Sequence, residues 1–86
     1  MSPAFGGHDY AFQMASDVIR DGLGLEAWQQ DCDPPLLVLE VFRQDPSGAL
    51  SYNQFVPGLP FDLIEHVVGI ARADLLKPGW NEEGAA

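Results

Sequence analysis

Residues 36–56, LLVLEVFRQDPSGALSYNQFV, decide the fold, because they predict two β-strands joined by a tight turn. The first part, 36–44, is rich in branched and aromatic residues, which favour strands. The DPSG tetrapeptide at 45–48 has the composition of a type I turn, in which proline presets the backbone and glycine tolerates a following left-handed conformation. Residues 49–56 then return as the partner strand, so the stretch predicts an antiparallel hairpin.

The turn also predicts which residues of the hairpin lie opposite each other. A type I turn with a bulge pairs Phe42 with Tyr52 and Glu40 with Gln54. One face of the ribbon then carries a predicted apolar core, formed by Leu37, Leu39, Val41 and Phe55. The other face mixes aromatic and apolar residues with carboxylates and amides: Trp28, Val38, Phe42, Leu50, Tyr52, Glu26, Gln30, Glu40, Gln44 and Gln54.

Upstream of the hairpin, the pattern predicts one more strand and one helix. Residues 23–30, LGLEAWQQ, alternate between apolar and polar positions, as a strand does. Residues 8–20 repeat apolar side chains at spacings of three and four, which favours a helix with Asp9 as its N-cap and Gly22 as its stop.

Downstream of the hairpin, residues 62–77 predict a C-terminal helix. Asp62 and Glu65 have the spacing of a capping box, and apolar residues follow the helical period as far as Leu75. Lys77 suits the last turn, and Pro78 and Gly79 end the helix.

The predicted fold is therefore a single α+β domain over residues 1–86. It consists of a three-stranded antiparallel meander flanked by an N-terminal and a C-terminal helix, in the order α-β-β-β-α. Residues 1–7 and 79–86 are expected to be flexible.

Composition narrows the classes of partner and the compartment. The 86 residues carry a formal net charge of −9, which disfavours nucleic acid and anionic membranes and favours a basic protein partner. The chain has one cysteine, Cys32, and no apolar run long enough to span a bilayer. The N-terminal stretch lacks the pattern of a secretory signal, so we expect a cytoplasmic protein.

The search for catalytic and metal-binding patterns predicts neither. His8 and His66 are distant in sequence and have no ligand-spaced partner. Cys32 lies between Asp31 and Asp33, whose negative charge disfavours a reactive thiolate. We therefore expect no catalytic residue, no metal and no cofactor, and a protein that is not an enzyme.

Two functional hypotheses remain. In the first, the protein is a small acidic inhibitor or immunity-type protein that neutralises a larger basic partner. The predicted binding residues are the aromatic anchors Trp28, Phe42 and Tyr52, with the carboxylates Glu26, Glu40, Asp31, Asp33 and Asp45. In the second, the protein is a structural or accessory homo-oligomer, joined through the aromatic face or a strand edge. A third arrangement also remains open, in which the N-terminal helix covers that face and makes it core.

Overall fold

A computed structural model describes residues 4–45 and 47–75. Their strands form one antiparallel sheet with neighbouring strands paired in chain order. The strands are β1 (Ala4–Phe5), β2 (His8–Asp17), β3 (Gly22–Gln29), β4 (Leu36–Gln44) and β5 (Leu50–Gln54). Within the same residues a single helix, α1 (Phe61–Ile70), follows the sheet and continues as a π-helical segment over Ala71–Leu75.

This architecture contradicts the predicted α+β order α-β-β-β-α. The fold is a curled five-stranded sheet with one C-terminal helix, and neither the N-terminal helix nor the three-stranded meander is present in the described residues. The two strands predicted as 23–30 and 36–44 are confirmed, and the second has the same bounds as β4. The predicted flexible lead-in at 1–7 contains β1, and the predicted flexible tail at 79–86 lies outside the described residues.

The prediction of a helix at residues 8–20 is wrong because two periodicities overlap there. Ala11 and Ala15 complete a helical stripe, but the larger side chains at Tyr10, Phe12 and Met14 alternate. Aromatic residues on a period of two favour a strand. Asp9 therefore caps no helix, and β2 turns directly into β3, with Asp17 paired to Gly22.

The predicted register of the 36–56 hairpin is wrong by one residue. Tyr52 lies opposite Val41, and Phe42 lies opposite Ser51. The turn closes without the expected extra bulge residue, because the Gln44 N–H donates to the Ala49 carbonyl oxygen over 2.9 Å. Side chains alternate along a strand, so this slip moves Tyr52 to the opposite face from Phe42.

The helix packs against one face of the sheet and forms the core with it. Its buried residues Leu63, Val67, Ala71 and Leu75 recur every four positions and belong to one cluster with apolar residues of β2, β3 and β4. Burying one leucine side chain contributes about 1.5–3 kcal/mol. The buried core residues are Tyr10, Leu25, Ala27, Val38, Leu39, Val41, Leu63, Val67, Ala71 and Leu75. Phe55, predicted for this core, is 54% exposed.

The two ends of the C-terminal helix differ from the predicted caps. The N-cap is Pro60, which forms no side-chain capping bond, so the predicted capping box of Asp62 and Glu65 is wrong. At the other end, buried Arg43 of β4 donates from Nη1 to the Leu75 carbonyl oxygen over 3.0 Å. This bond ties the end of the helical segment to the sheet. Lys77, Pro78 and Gly79 lie outside the described residues.

Candidate functional site

The face of the sheet turned away from the helix carries an unusual set of polar and aromatic residues. We call it the outer face and define it by Gln13, Gly22, Gly24, Glu26, Trp28, Glu40, Phe42 and Asn53, which alternate with the helix-facing positions. Glu26 of β3 and Glu40 of β4 lie directly opposite each other across two paired strands. Like charges in such a pair are destabilising unless something neutralises them.

Arg20 neutralises one of these two carboxylates. Its Nη1 and Nη2 donate to Glu40 Oε1 and Oε2 over 2.8 and 2.7 Å, which is a bidentate pair. The same guanidinium lies 4.0 Å from the centroid of the Phe42 ring, within the range of a cation–π contact. Glu40 and Phe42 are only 4% and 3% exposed, and no helix of the described residues covers them.

The turn between β2 and β3 holds Arg20 in this position. Asp17 Oδ1 accepts from the backbone N–H groups of Ile19 and Arg20, and Asp17 Oδ2 accepts from Arg20 Nε over 2.6 Å. Gln44 Nε2 donates to the Arg20 carbonyl oxygen over 2.7 Å. Contacts within the turn and a bond from the β4–β5 hairpin therefore fix the position of the Arg20 guanidinium over the sheet.

Two glycines of β3 leave the space that this arrangement needs. A Cβ atom on Gly24 would lie 2.7 Å from Glu40 Oε2, and one on Gly22 would lie 2.5 Å from Phe42 Cζ. Both distances are shorter than van der Waals contact allows. The buried half of the outer face thus consists of Glu40 and Phe42 lying over glycine, with Arg20 above them.

The ion pair changes the pKa values of both partners. Hydrogen bonds from Arg20 lower the pKa of the Glu40 carboxyl group, and burial opposes this shift less strongly. Hydrogen bonds to Glu40 and then Asp17 raise the pKa of Arg20. The pKa of Asp17 is also lowered, first by hydrogen bonds from Arg20.

A lowered Glu40 pKa makes the fold sensitive to acid. This carboxylate stabilises the folded state fully above the pKa of unfolded glutamate, about 4.3, and that stabilisation is lost as the pH falls through the lower folded value. We expect the urea midpoint to fall between about pH 5 and about pH 3, and to fall less steeply in Glu40→Gln. Glu65→Gln, on the helix, is the control. Equal slopes for the wild type and Glu40→Gln would contradict this assignment.

The other half of the outer face repeats the glutamate–aromatic pair without an arginine. Trp28 Nε1 and Gln13 Nε2 both donate to Glu26 Oε1, over 3.0 and 2.7 Å. Among the described residues, no donor reaches Glu26 Oε2 and no cation pairs with this carboxylate. Glu26 is therefore held in place while one of its oxygens stays available.

A groove of about 520 Å³ opens beside this pair. Its wall is mostly apolar and its polar lining consists of two glutamines: Ala11, Phe12, Gln13, Trp28, Gln30, Pro34 and Pro35. The Gln30 amide nitrogen donates to the Trp28 carbonyl oxygen over 3.3 Å. The Trp28 indole N–H and one N–H of each glutamine amide thus have a protein acceptor, whereas the second N–H of each amide and the side-chain oxygens of both glutamines have no described partner.

The loop between β3 and β4 adds negative charge at this end of the sheet. Asp31 Oδ2 lies 2.8 Å from His8 Nδ1, and this contact lowers the pKa of the Asp31 carboxyl group. Asp33 forms no ion pair within the described part of the chain, and it precedes the two prolines of the groove, with a cis peptide bond to Pro34. Cys32 lies in the same loop as a free thiol.

The structure divides the predicted binding residues among five places. Trp28 lines the groove, Glu26 lies beside it as the acceptor of the Trp28 indole N–H, and Asp31 and Asp33 lie in the adjacent loop. Glu40 and Phe42 share the outer face with them but are buried under Arg20. The remaining two residues lie apart from the groove: Tyr52 faces the helix side of the sheet, and Asp45 pairs with Arg43 over 3.0 Å.

The sequence interpretation does not identify two residues of the site, Arg20 and Gln13. The sequence shows Arg20 only as one of four dispersed basic residues, and Gln13 falls within the predicted helix. The Asp21–Gly22 dipeptide, a common hairpin turn signal, is the feature that could reveal the β2–β3 hairpin and with it the position of Arg20.

The described residues contain no group of three or more His, Cys, Asp or Glu side chains arranged to hold a metal ion. His66 instead lies between the rings of Phe5 and Phe12, with centroids 5.2 and 5.1 Å away. Within the same residues, no helix is long and apolar enough to cross a membrane. Comparison with known proteins found no matching family model, no matching curated protein and no matching solved structure.

Proposed function

We propose that this protein is a small acidic binding module that neutralises a basic protein partner, in the manner of an inhibitor or immunity protein. One observation carries the proposal: an apolar groove containing Trp28 opens beside carboxylates that no described cation pairs with, Glu26 and Asp33. Aromatic anchors with polar surroundings are typical of binding hot spots. The proposal assigns the protein no catalytic activity and a cytoplasmic location, consistent with its single cysteine.

The rest of the charge supports the choice of a basic partner. The carboxylates that form no ion pair within the described residues are Asp9, Asp21, Glu26, Asp33, Asp62, Glu65 and Asp74. The formal net charge of −9 adds a long-range attraction that accelerates encounter with a cationic protein. Binding at the groove is then expected to weaken as salt rises.

Affinity capture with matched variants tests the proposal. Wild type, Glu26→Gln and Glu65→Gln are immobilised and exposed to lysate of the source cells, and retained proteins are quantified by mass spectrometry. We expect a basic protein that the wild type and Glu65→Gln retain and that Glu26→Gln retains roughly tenfold less. Both substitutions remove one negative charge. A difference in retention between the two variants therefore reflects where the carboxylate lies rather than the net charge of the protein. A basic protein retained equally by all three would contradict the groove as the binding site.

The edge of the sheet at β5 favours a second candidate, a homo-oligomer without catalytic activity. Among the described strands, β5 pairs only with β4, so no described strand occupies its outer edge. Its sequence LSYNQ contains no charge and no proline, the residues that usually protect an edge. Tyr52 and Leu50 line a groove of about 200 Å³ between this strand and the helix, and Arg72 lies on its rim without a described ion-pair partner.

Sedimentation velocity separates the two candidates. The binding-module proposal expects a monomer throughout the micromolar range, because two copies with a net charge of −9 repel each other. A dimer that Tyr52→Lys dissociates would instead establish the β5 edge as the interface. Phe61→Lys introduces the same residue at a position that is 69% exposed at the start of the helix, and it serves as the control.

A further inference from the structure

The outer face contains the same two-residue unit twice. On β4, Glu40 is followed two positions later by Phe42, and on β3, Glu26 is followed two positions later by Trp28. Residues two apart on a strand share a face, so each glutamate lies beside its aromatic ring. The two units are neighbours, since Glu26 and Glu40 are cross-strand partners.

The first unit shows what such a pair binds. The guanidinium of Arg20 forms two hydrogen bonds with Glu40 and stacks 4.0 Å from the Phe42 ring centroid. Arginine suits this arrangement because its planar group pairs with a carboxylate at its edge and contacts an aromatic ring with its face.

The second unit is left without a cation in the described part of the chain. Glu26 Oε2 receives no donor there, and Trp28 is only half-buried. The Trp28 indole N–H is engaged with Glu26 Oε1, and one N–H of each glutamine amide has a protein acceptor, whereas the side-chain oxygens Glu26 Oε2, Gln13 Oε1 and Gln30 Oε1 receive no described donor. A site of oxygen acceptors and apolar walls fits a ligand that has several donors and a weakly hydrated planar face.

We infer that the Glu26–Trp28 unit is a receptor for one arginine side chain of a protein partner, held between the Glu26 carboxylate and the Trp28 ring. This inference rests on the proposed function and names the group that the groove recognises. A lysine ammonium supplies the same charge but has no planar face and fewer donors, so the site prefers arginine.

Paired peptides test the inference. One is rich in arginine and glycine, and the other has lysine at every arginine position, so length and charge match. Binding is followed through Trp28 fluorescence in a Trp80→Phe background, which leaves Trp28 as the sole tryptophan. We expect the arginine peptide to bind roughly tenfold more tightly than the lysine peptide. Glu26→Gln should abolish this preference, whereas Glu65→Gln should preserve it.

The outcomes distinguish the inference from the function on which it rests. If both peptides change the Trp28 signal with equal affinity, the groove binds cations without selecting arginine, which overturns the inference and leaves the proposed function standing. If neither peptide changes the Trp28 signal, both are overturned. If the arginine preference persists in Glu26→Gln, the carboxylate does not recognise the guanidinium, and the inference is again wrong.

Discussion

Replacing Gly22 with alanine is expected to destabilise the protein by about 3 kcal/mol, near the upper end for overpacking. The added Cβ would overlap the Arg43 carbonyl oxygen and lie 2.5 Å from Phe42 Cζ. The carbonyl belongs to β4, an interior strand paired on both sides, and Arg20 holds the ring from above, so neither can move aside without breaking other contacts. Urea denaturation followed by Trp28 fluorescence in the Trp80→Phe background measures the loss.

Gly69→Ala provides the matched control for this substitution. Gly69 lies in the helix, and a Cβ added there would meet no described atom within 4 Å beyond its chain neighbours and its own helix backbone. Alanine favours a helix over glycine by about 1 kcal/mol, so this variant should be slightly more stable than the wild type. If Gly22→Ala were as stable as Gly69→Ala, the close packing of Phe42 on β3 would be wrong.

Arg20→Met is expected to destabilise the fold by about 2–3 kcal/mol, although Arg20 lies in an exposed turn. The substitution leaves the Glu40 carboxylate buried without its bidentate partner, and it uncovers the Phe42 ring. Removing one member of a buried ion pair costs more than the pair contributes, because the remaining charge is desolvated and unpaired. The expected loss is smaller than the roughly 3–5 kcal/mol typical of a fully buried pair, because the Arg20 side chain is 43% exposed.

A double-mutant cycle shows whether this loss comes from the pair. In Arg20→Met/Glu40→Met no charge remains at the site, so the double variant should be more stable than the sum of the two single losses predicts, by at least about 1 kcal/mol. Additive losses would mean that Arg20 acts through its turn alone, and that Glu40 does not depend on it.

The parts of the fold that sequence alone predicts are those with one dominant pattern. At 36–44 the branched and aromatic run has turn signals on both sides, and β4 has those bounds. Over 23–27 the alternation is strict, and Leu25 and Ala27 are buried as expected. The C-terminal helix also forms where its apolar period predicts, although its first turn has no side-chain cap.

The parts that sequence alone does not predict depend on contacts distant along the chain. In β2, the alanines at 11 and 15 fit a helix as well as a strand, and pairing with β3 decides between them. In the 36–56 hairpin, the turn sequence admits two closures that differ by one residue, and this slip exchanges the faces of β5. Because of these two ambiguities, the sequence does not predict which side chains of β2 and β5 lie on the same face of the sheet.

The candidate site is partly predictable for the same reasons. The sequence identifies Trp28, Glu26 and Glu40 as members of one face, because the patterns of β3 and β4 are unambiguous. It assigns Phe42 to a binding surface, but in the structure Arg20 covers that ring. Arg20 lies in the turn after β2, which the sequence interpretation places at the end of the predicted helix 8–20. The structure thus reduces a broad aromatic face to a closed half at Phe42 and an open half at Trp28.

NMR mapping of the amide and indole N–H groups tests most directly the claim that this open half is the binding site. An arginine-rich peptide is added to the labelled protein, and chemical-shift changes are followed for backbone, glutamine side chains and indole. We expect the largest changes at the Trp28 indole and the side-chain amides of Gln13 and Gln30, since these groups line the groove. The claim would be contradicted if the largest changes were at the backbone amides of Asp62, Glu65 and Asp74, or if the changes were spread evenly over the amides of all exposed acidic residues.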